Sequence, residues 1–262
     1  MDLSRYTLAT LHQDGEFVLC RGRTTASPTP DPPSILVSVL ASEHPLPVHV
    51  RMLEHELALR DDLDSTCALR PLALAEYEGR SALILEDQQG ESLARLRAKP
   101  TVSHPFSGHP SAEPALELGL FLRLAAGLAA ALGEVHRRGI IHKDVKPANI
   151  LVNPATGQVW LTGFGIASRL PRERQAPEPP ETIAGTLAYM APEQTGRMNR
   201  SIDCRSDLYA LGVTLYEMLT GLLPFTAAEP IEWVHCHIAR EPKAPGERVA
   251  DVPAPVAAII MK

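Results

Sequence analysis

Lysine is almost missing from this 262-residue chain: there are five, against 20 arginines, and none precedes Lys99. Chemistry in the first third that calls for a lysine ammonium is excluded, since a planar guanidinium does not replace a compact point charge. Cysteine is sparse as well. Cys20, Cys67, Cys204 and Cys236 lie far apart with no Cys-x-x-Cys pair, which leaves no disulfide framework and points to reduced thiols in a cytoplasmic protein. No basic start followed by an apolar core opens the chain, so no signal peptide is read. Long apolar runs are lacking too. The most apolar stretch, Leu116 to Val135, is broken by Glu117, Arg123 and Glu134, and reads as a buried helix rather than a membrane span. Positive charge is not in excess, and a net charge of −6 argues against a nucleic-acid or anionic-membrane surface.

What remains is 45% hydrophobic and 21% charged, a globular composition long enough for one two-lobed domain. Proline, at 24 residues, has about twice its usual share. Glu16–Cys20 and Ile35–Leu40 read as strands separated by the loop TTASPTPDPP. Val50 to Asp62 reads as a short helix, and Leu72–Tyr77 with Ser81–Leu85 as a hairpin turning at Glu78-Gly79-Arg80. The opening is therefore β-β-β-α-β-β. Lys99 to Pro114 reads as an irregular linker. Beyond it Leu120, Leu124, Leu128, Leu132 and Val135 share one helix face. A second helix, from about Asp207 to Thr220, is apolar nearly all round and stops at Gly221. A β-rich lobe joined to a helical lobe leaves a cleft between them.

Between the two strong helices stands His142-Lys143-Asp144-Val145-Lys146-Pro147-Ala148-Asn149, followed by Ile150-Leu151-Val152. This resembles the catalytic loop, H-R-D-x-K-P-x-N, of eukaryotic-type serine/threonine protein kinases. Three further segments follow in that family's order: Thr162-Gly163-Phe164-Gly165 at the D-F-G metal motif, Gly185 to Glu193 at the end of the activation segment, and Ser206 to Gly212 at the buried central helix. The resemblance implies an α+β, two-lobed protein kinase fold. Residues 1–88 would form the small β-rich lobe and 89–262 the larger helical lobe, with the catalytic loop at 142–149 and the activation segment at 163–193.

The resemblance also assigns roles. Phosphoryl transfer needs an aligned nucleophile and neutralised phosphate charge. Asp144 would orient a substrate hydroxyl and accept its proton, Lys146 would touch the transferring phosphate, and Asn149 would hold Mg²⁺. Lys146 and Thr186 follow the serine/threonine pattern. Gly15, Glu56, Glu86 and Gly165 would line the nucleotide cleft. Thr182, Thr186 and Glu193 belong to the activation segment, and His142 and Asp207 support the loop. Asp207 also has a plainer reading as the cap of its own helix. His235, Cys236 and His237 carry metal-ligand side chains, but residues at i and i+2 of a helix face different ways and no further ligand is evident.

Three phosphate-handling features depart from the family. The D-F-G aspartate is Gly163, and Glu173 is too far along a proline-rich loop to replace it. Ile35-Leu36-Val37-Ser38-Val39-Leu40 aligns with V-A-I-K-V-L, putting Ser38 at the lysine position and leaving Glu56, 18 residues on, without that partner. Arg21 or Arg23 could reach in from the neighbouring strand, though two solvated arginines is the plainer reading. The glycine-rich loop is reduced to His12-Gln13-Asp14-Gly15-Glu16-Phe17, whose acids would repel phosphates. Lys143 stands where arginine is usual and keeps a charge that could meet a phosphate near Ser168, Thr182 or Thr186.

The expectation is a kinase-like signalling domain with degenerate nucleotide chemistry, using ATP and Mg²⁺ if active and otherwise no cofactor. A working atypical serine/threonine kinase is the alternative, and a small-molecule phosphotransferase is a weaker third. Three segments, APEQTGRMNRSID, RSDLYALGVTLYEMLTGLLPF and EWVHCHIAR, resemble the N-terminal kinase-like module of large bacterial ATPase/sensor histidine kinase hybrids. That implies a larger lobe cut short at Lys262 and partners in downstream domains of the same longer chain, besides a protein substrate or docking partner.

Overall fold

Period-two alternation of apolar residues builds the first lobe. In the computed structural model, which describes residues 3–24, 34–98, 116–169 and 185–262, strands β1 (Tyr6–Asp14), β2 (Phe17–Thr24) and β3 (Ser34–Leu40) precede helix α1 (Pro47–Ala58). Strands β4 (Pro71–Tyr77) and β5 (Arg80–Glu86) complete an antiparallel sheet in the order β1-β2-β3-β5-β4. The order β-β-β-α-β-β is the one the sequence suggests, with β1 as a half-exposed strand and α1 beginning and ending earlier than expected. Pro47 sits in the first turn of α1, where its missing N–H has no helical partner to lose.

Successive residues of β3 point to opposite faces. Leu36 and Leu40 join Leu53 of α1, Leu83 and Leu85 in one apolar cluster, while Ile35, Val37 and Val39 join Ala82 and Ile84 in another. Ser38 therefore belongs to the face that carries α1. The Glu78-Gly79 turn has φ of 50° and 74°, the left-handed pair that a two-residue hairpin uses.

After β5 the chain crosses to the second lobe. Strand β6 (Glu91–Ser92) pairs with β7 (Ile150–Asn153), which pairs with β8 (Gln158–Leu161), and β6 leads into α2 (Leu93–Ala98). The helices are α3 (Leu118–Arg137), α4 (Cys204–Thr220), α5 (Pro230–Ala239) and α6 (Ala254–Ile260). The expected linker over 99–114 lies outside the described residues. By length and composition α3 could cross a bilayer, yet Phe121, Leu124, Leu128, Ala131, Leu132 and Val135 are sealed in a core shared with β7, β8 and α4. Leu120 is only half-buried, and Phe121 takes the inward place expected of it. Glu117 caps α3 by accepting the Gly119 and Leu120 amides, and Gly221 ends α4 at φ 72°.

One helix glycine is needed for space. A Cβ on Gly127 of α3 would lie 2.1 Å from the Gly157 carbonyl oxygen in the β7–β8 turn. Gly127→Ala gains helix propensity but overpacks this contact, so a net loss of about 1–3 kcal/mol is expected. A thermal melt unchanged by the substitution would contradict the packing.

Candidate active site

The catalytic-loop segment hangs on one buried carboxylate. Asp207, 0% exposed, accepts the His142 amide at 2.8 Å on one oxygen and the Lys143 amide at 2.7 Å on the other. His136 Nε2 donates to it as well, at 2.8 Å. Lys143 is held at φ +67°, a conformation a non-glycine residue adopts only under constraint. Asp207 does not cap α4: Asp203 does, accepting the Arg205 amide. The helix starts one turn earlier than expected, which frees Asp207 to face the loop.

His142 is buried, with Nε2 donating to the Thr162 carbonyl at 2.9 Å and Nδ1 accepting the Asp144 amide at 3.2 Å. Burial pushes its pKa below the ordinary imidazole value, so the ring is neutral. It packs on Phe164 at 4.5 Å between centroids.

Asp144, Lys146, Asn149 and Thr186 are brought together. Asp144 Oδ1 accepts the Thr186 amide at 3.1 Å, and Oδ2 accepts Asn149 Nδ2 at 2.9 Å. The same amide nitrogen donates to the Asp144 carbonyl at 2.8 Å. Lys146 Nζ lies 2.9 Å from Asp144 Oδ2, donates to the Thr186 hydroxyl, and lies 2.7 Å from Asp14 Oδ2 at the end of β1. Burial works against this ammonium, but Asp144 and Asp14 outweigh it and hold its pKa above the ordinary lysine value. Three N–H donors thus meet three oxygens.

Glu56 is not left without a partner. It is buried on α1 and accepts the Gly163 amide at 3.0 Å. Burial raises its pKa to about 7, against the pull of bonds from the Phe164 and Gly163 amides and the Thr162 hydroxyl. Gly163 itself is at φ +78°, and a Cβ there would lie 2.6 Å from the Asn149 carboxamide.

The other residues expected to line the cleft divide. Gly15 forms the β1–β2 turn at φ +55°. Gly165 instead gives close packing to α1, since a Cβ would meet Met52 Cβ at 2.8 Å. The Glu86 side chain is engaged by the Ser65 hydroxyl at 2.5 Å and Arg70 at 3.7 Å, so it ties the crossing strand to the loop after α1. Arg21 neither substitutes for the lysine nor lies solvated. It binds Asp87 in bidentate fashion at 2.7 and 3.0 Å and the Gly90 carbonyl at 2.5 Å, while Ser34 donates to the same Asp87. Arg23 is exposed. Glu193 accepts the Ser206 hydroxyl at 2.6 Å. Thr182 and Glu173 lie outside the described residues.

His237 is a structural clamp rather than a metal ligand. Its Nε2 donates to the Leu187 carbonyl and its Nδ1 accepts the Tyr209 hydroxyl, both at 2.7 Å. No group of three metal-ligating side chains occurs among the described residues. Sequence reasoning missed the clamp that His237 makes, the Arg21–Asp87 pair, and the contact of Asp14 with Lys146. The signal for the last was an acid where a glycine-rich turn is usual.

These residues do not fit a phosphate-bound Mg²⁺. Hard cations of this kind want carboxylates, yet Gly163 offers none, Asn149 is turned onto Asp144, and Asp144 is shared with Lys146. The protein kinase domain model matches residues 51–251. The serine/threonine-protein kinase PknB of Mycobacterium tuberculosis is 38% identical over 141 residues, 54% of this chain and 22% of that protein. A probable serine/threonine-protein kinase of Corynebacterium efficiens is 42% identical over 129 residues, 49% of this chain and 19% of its own length. One from Streptomyces coelicolor is 36% identical over 141 residues, 54% and 20% respectively. The chain thus spans about a fifth of the length of the curated relatives it matches.

Proposed function

The chain belongs to the protein kinase domain family, and on that premise we propose that it is a serine/threonine-kinase-like signalling domain with impaired phosphotransfer, serving as a regulatory or docking module. The observation that carries this reading is the state of the phosphate-facing groups. Lys146 is engaged by two carboxylates and a hydroxyl, Asn149 is folded onto Asp144, and the metal carboxylate is replaced by Gly163. Its partners are taken to be downstream domains of a longer signalling chain, by the resemblance to bacterial hybrids, or a separate docking protein. Four free thiols, three of them buried, suit a cytoplasmic setting.

The second reading, a working atypical serine/threonine kinase, is favoured by one observation: Asp144, Lys146, Asn149 and Thr186 remain mutually bonded. A thermal-melt titration with ATP, with and without Mg²⁺, separates the two. A ligand specific to the folded state adds about 2.7 kcal/mol at 100 times its Kd. No Mg²⁺-dependent shift is expected, and no phosphate transfer that disappears in Asp144→Asn. A Mg²⁺-dependent shift would revive the kinase reading, and phosphate transfer lost in Asp144→Asn would replace the impaired-site reading with it. Reversion with Gly163→Asp and Ser38→Lys together should raise Mg·ATP affinity only where Asn149 rotates away, because the new Cβ would meet its carboxamide at 2.6 Å.

A further inference from the structure

An aspartate at the tip of an antiparallel hairpin ordinarily points into water. Asp14 does not. It closes β1 against Phe17 with Gly15 in the turn, and its carboxylate reaches down to an ammonium that is only 9% exposed. The approach is shared by the strand behind it, since His12 of β1 is drawn into contact with the Ala148 backbone of the catalytic loop. Two lobes are thereby joined across the mouth of the cleft. With Asp14 and Asp144 on one lysine, the local formal charge is negative, and an approaching polyphosphate meets repulsion where the family supplies a cation.

We propose that Asp14 is a built-in occupant of the phosphate position: the β1–β2 turn acts as a latch that holds Lys146 and keeps the cleft closed to polyphosphates until the carboxylate is displaced. The proposal deepens the reading of an impaired nucleotide site and rests on it. A carboxylate is an apt surrogate, being an anion that accepts hydrogen bonds much as a phosphate oxygen does. Asp14 is 37% exposed, so salt screens the contact and a competing anion can replace it. Glu16, in the same turn, supplies the control for unspecific charge.

Lys146 reactivity tests the latch without any nucleotide. The intact chain is treated with limiting acetic anhydride, and each lysine is followed by peptide mass spectrometry. Lys243 and Lys262 are exposed and serve as internal references. Lys146 should react at least tenfold more slowly than either. Asp14→Asn and Asp14→Ala should each speed it several-fold, with Glu16→Gln leaving it unchanged. Labelling of Lys146 at the reference rate in the native chain overturns the proposal, as does equal release by Glu16→Gln.

The second arm is fluorescence titration with metal-free ATP at low salt. Asp14→Asn should bind at least tenfold more tightly than the native chain, and raising the salt should narrow the gap. An unchanged affinity overturns the claim that the latch closes the cleft. Mg²⁺-dependent phosphotransfer by the native chain would sink the impaired-site reading instead, and would do so whatever the labelling ratios show.

Discussion

Asp207→Ala is expected to cost about 3–5 kcal/mol of folding stability, the range for removing one partner from a buried charged network. Three donors converge on this carboxylate: the amides of His142 and Lys143 and the imidazole of His136. Without it, one buried and one partly buried backbone N–H lose their acceptor, and a group left unsatisfied away from water carries the cost of its desolvation. The Lys143 backbone would also lose the restraint that keeps it left-handed, so the loop bearing Asp144 and Lys146 should relax. Asp207→Asn, which retains one acceptor oxygen, should lose roughly half as much. The neighbouring Asp203→Ala removes a helix cap together with an ion pair to the exposed Arg205 side chain, and should cost about 1 kcal/mol. Urea denaturation of the three variants side by side decides the matter. Equal losses for Asp203→Ala and Asp207→Ala would refute the anchoring role.

The next largest effect should appear as a function of pH. Glu56 has its carboxyl raised from an ordinary 4.5 to about 7, with burial as the leading cause. A raised carboxyl pKa means that the folded chain binds a proton the unfolded chain has released. The associated stability is fully present below 4.5, is lost as pH rises from there to about 7, and changes no further above it. The span corresponds to about 3 kcal/mol. Buried His142 and His237 and half-buried His12, all depressed by desolvation, act in the opposite direction, costing stability as pH falls through and below 6.5. The native profile is therefore a sum, and the diagnostic quantity is the difference from Glu56→Gln. That variant keeps an oxygen for the Gly163 amide but cannot ionise, so its advantage over the native chain should grow by about 3 kcal/mol between pH 4.5 and 7.5. Parallel profiles for the two proteins would show that Glu56 does not titrate as its surroundings imply.

The parts of this molecule that could be read from sequence are those whose chemistry is local. The run from His142 to Asn149 carries its own spacing. The leucine steps of α3 announce a buried face, and Gly221 ends α4 where a left-handed residue is required. Misreadings arose where one residue decided between neighbours. Phe121 takes the central inward place and leaves Leu120 half-buried at the margin of the same core, because helix geometry, not leucine spacing alone, sets the inward face. Asp203 rather than Asp207 became the cap because α4 starts a turn earlier.

The site's departures were harder to foresee because the new partners are backbone atoms or distant side chains. The absence of any lysine before Lys99 was visible at once. That the Gly163 amide, 107 residues from Glu56, would bond its carboxyl was not, since every residue has an amide and sequence does not single one out. The same holds for Arg21. Its charge was evident, but its partner Asp87 lies 66 residues on, in a strand-to-lobe crossing with no pattern of its own.

That crossing has a mechanical consequence. Asp87 is fully enclosed, gripped on two nitrogens by Arg21 from β2 and on a third side by Ser34 from β3. A connector bolted to the sheet in this way behaves as a strut rather than a strap. The grip extends to Gly90, whose carbonyl Arg21 also holds, so the chain leaves the small lobe already ordered and has little slack before Glu91 pairs with Val152 of the second lobe. A partner seated on this stretch would give up little motional freedom of the connector on arrival, and its residence time would be governed by the contacts it makes.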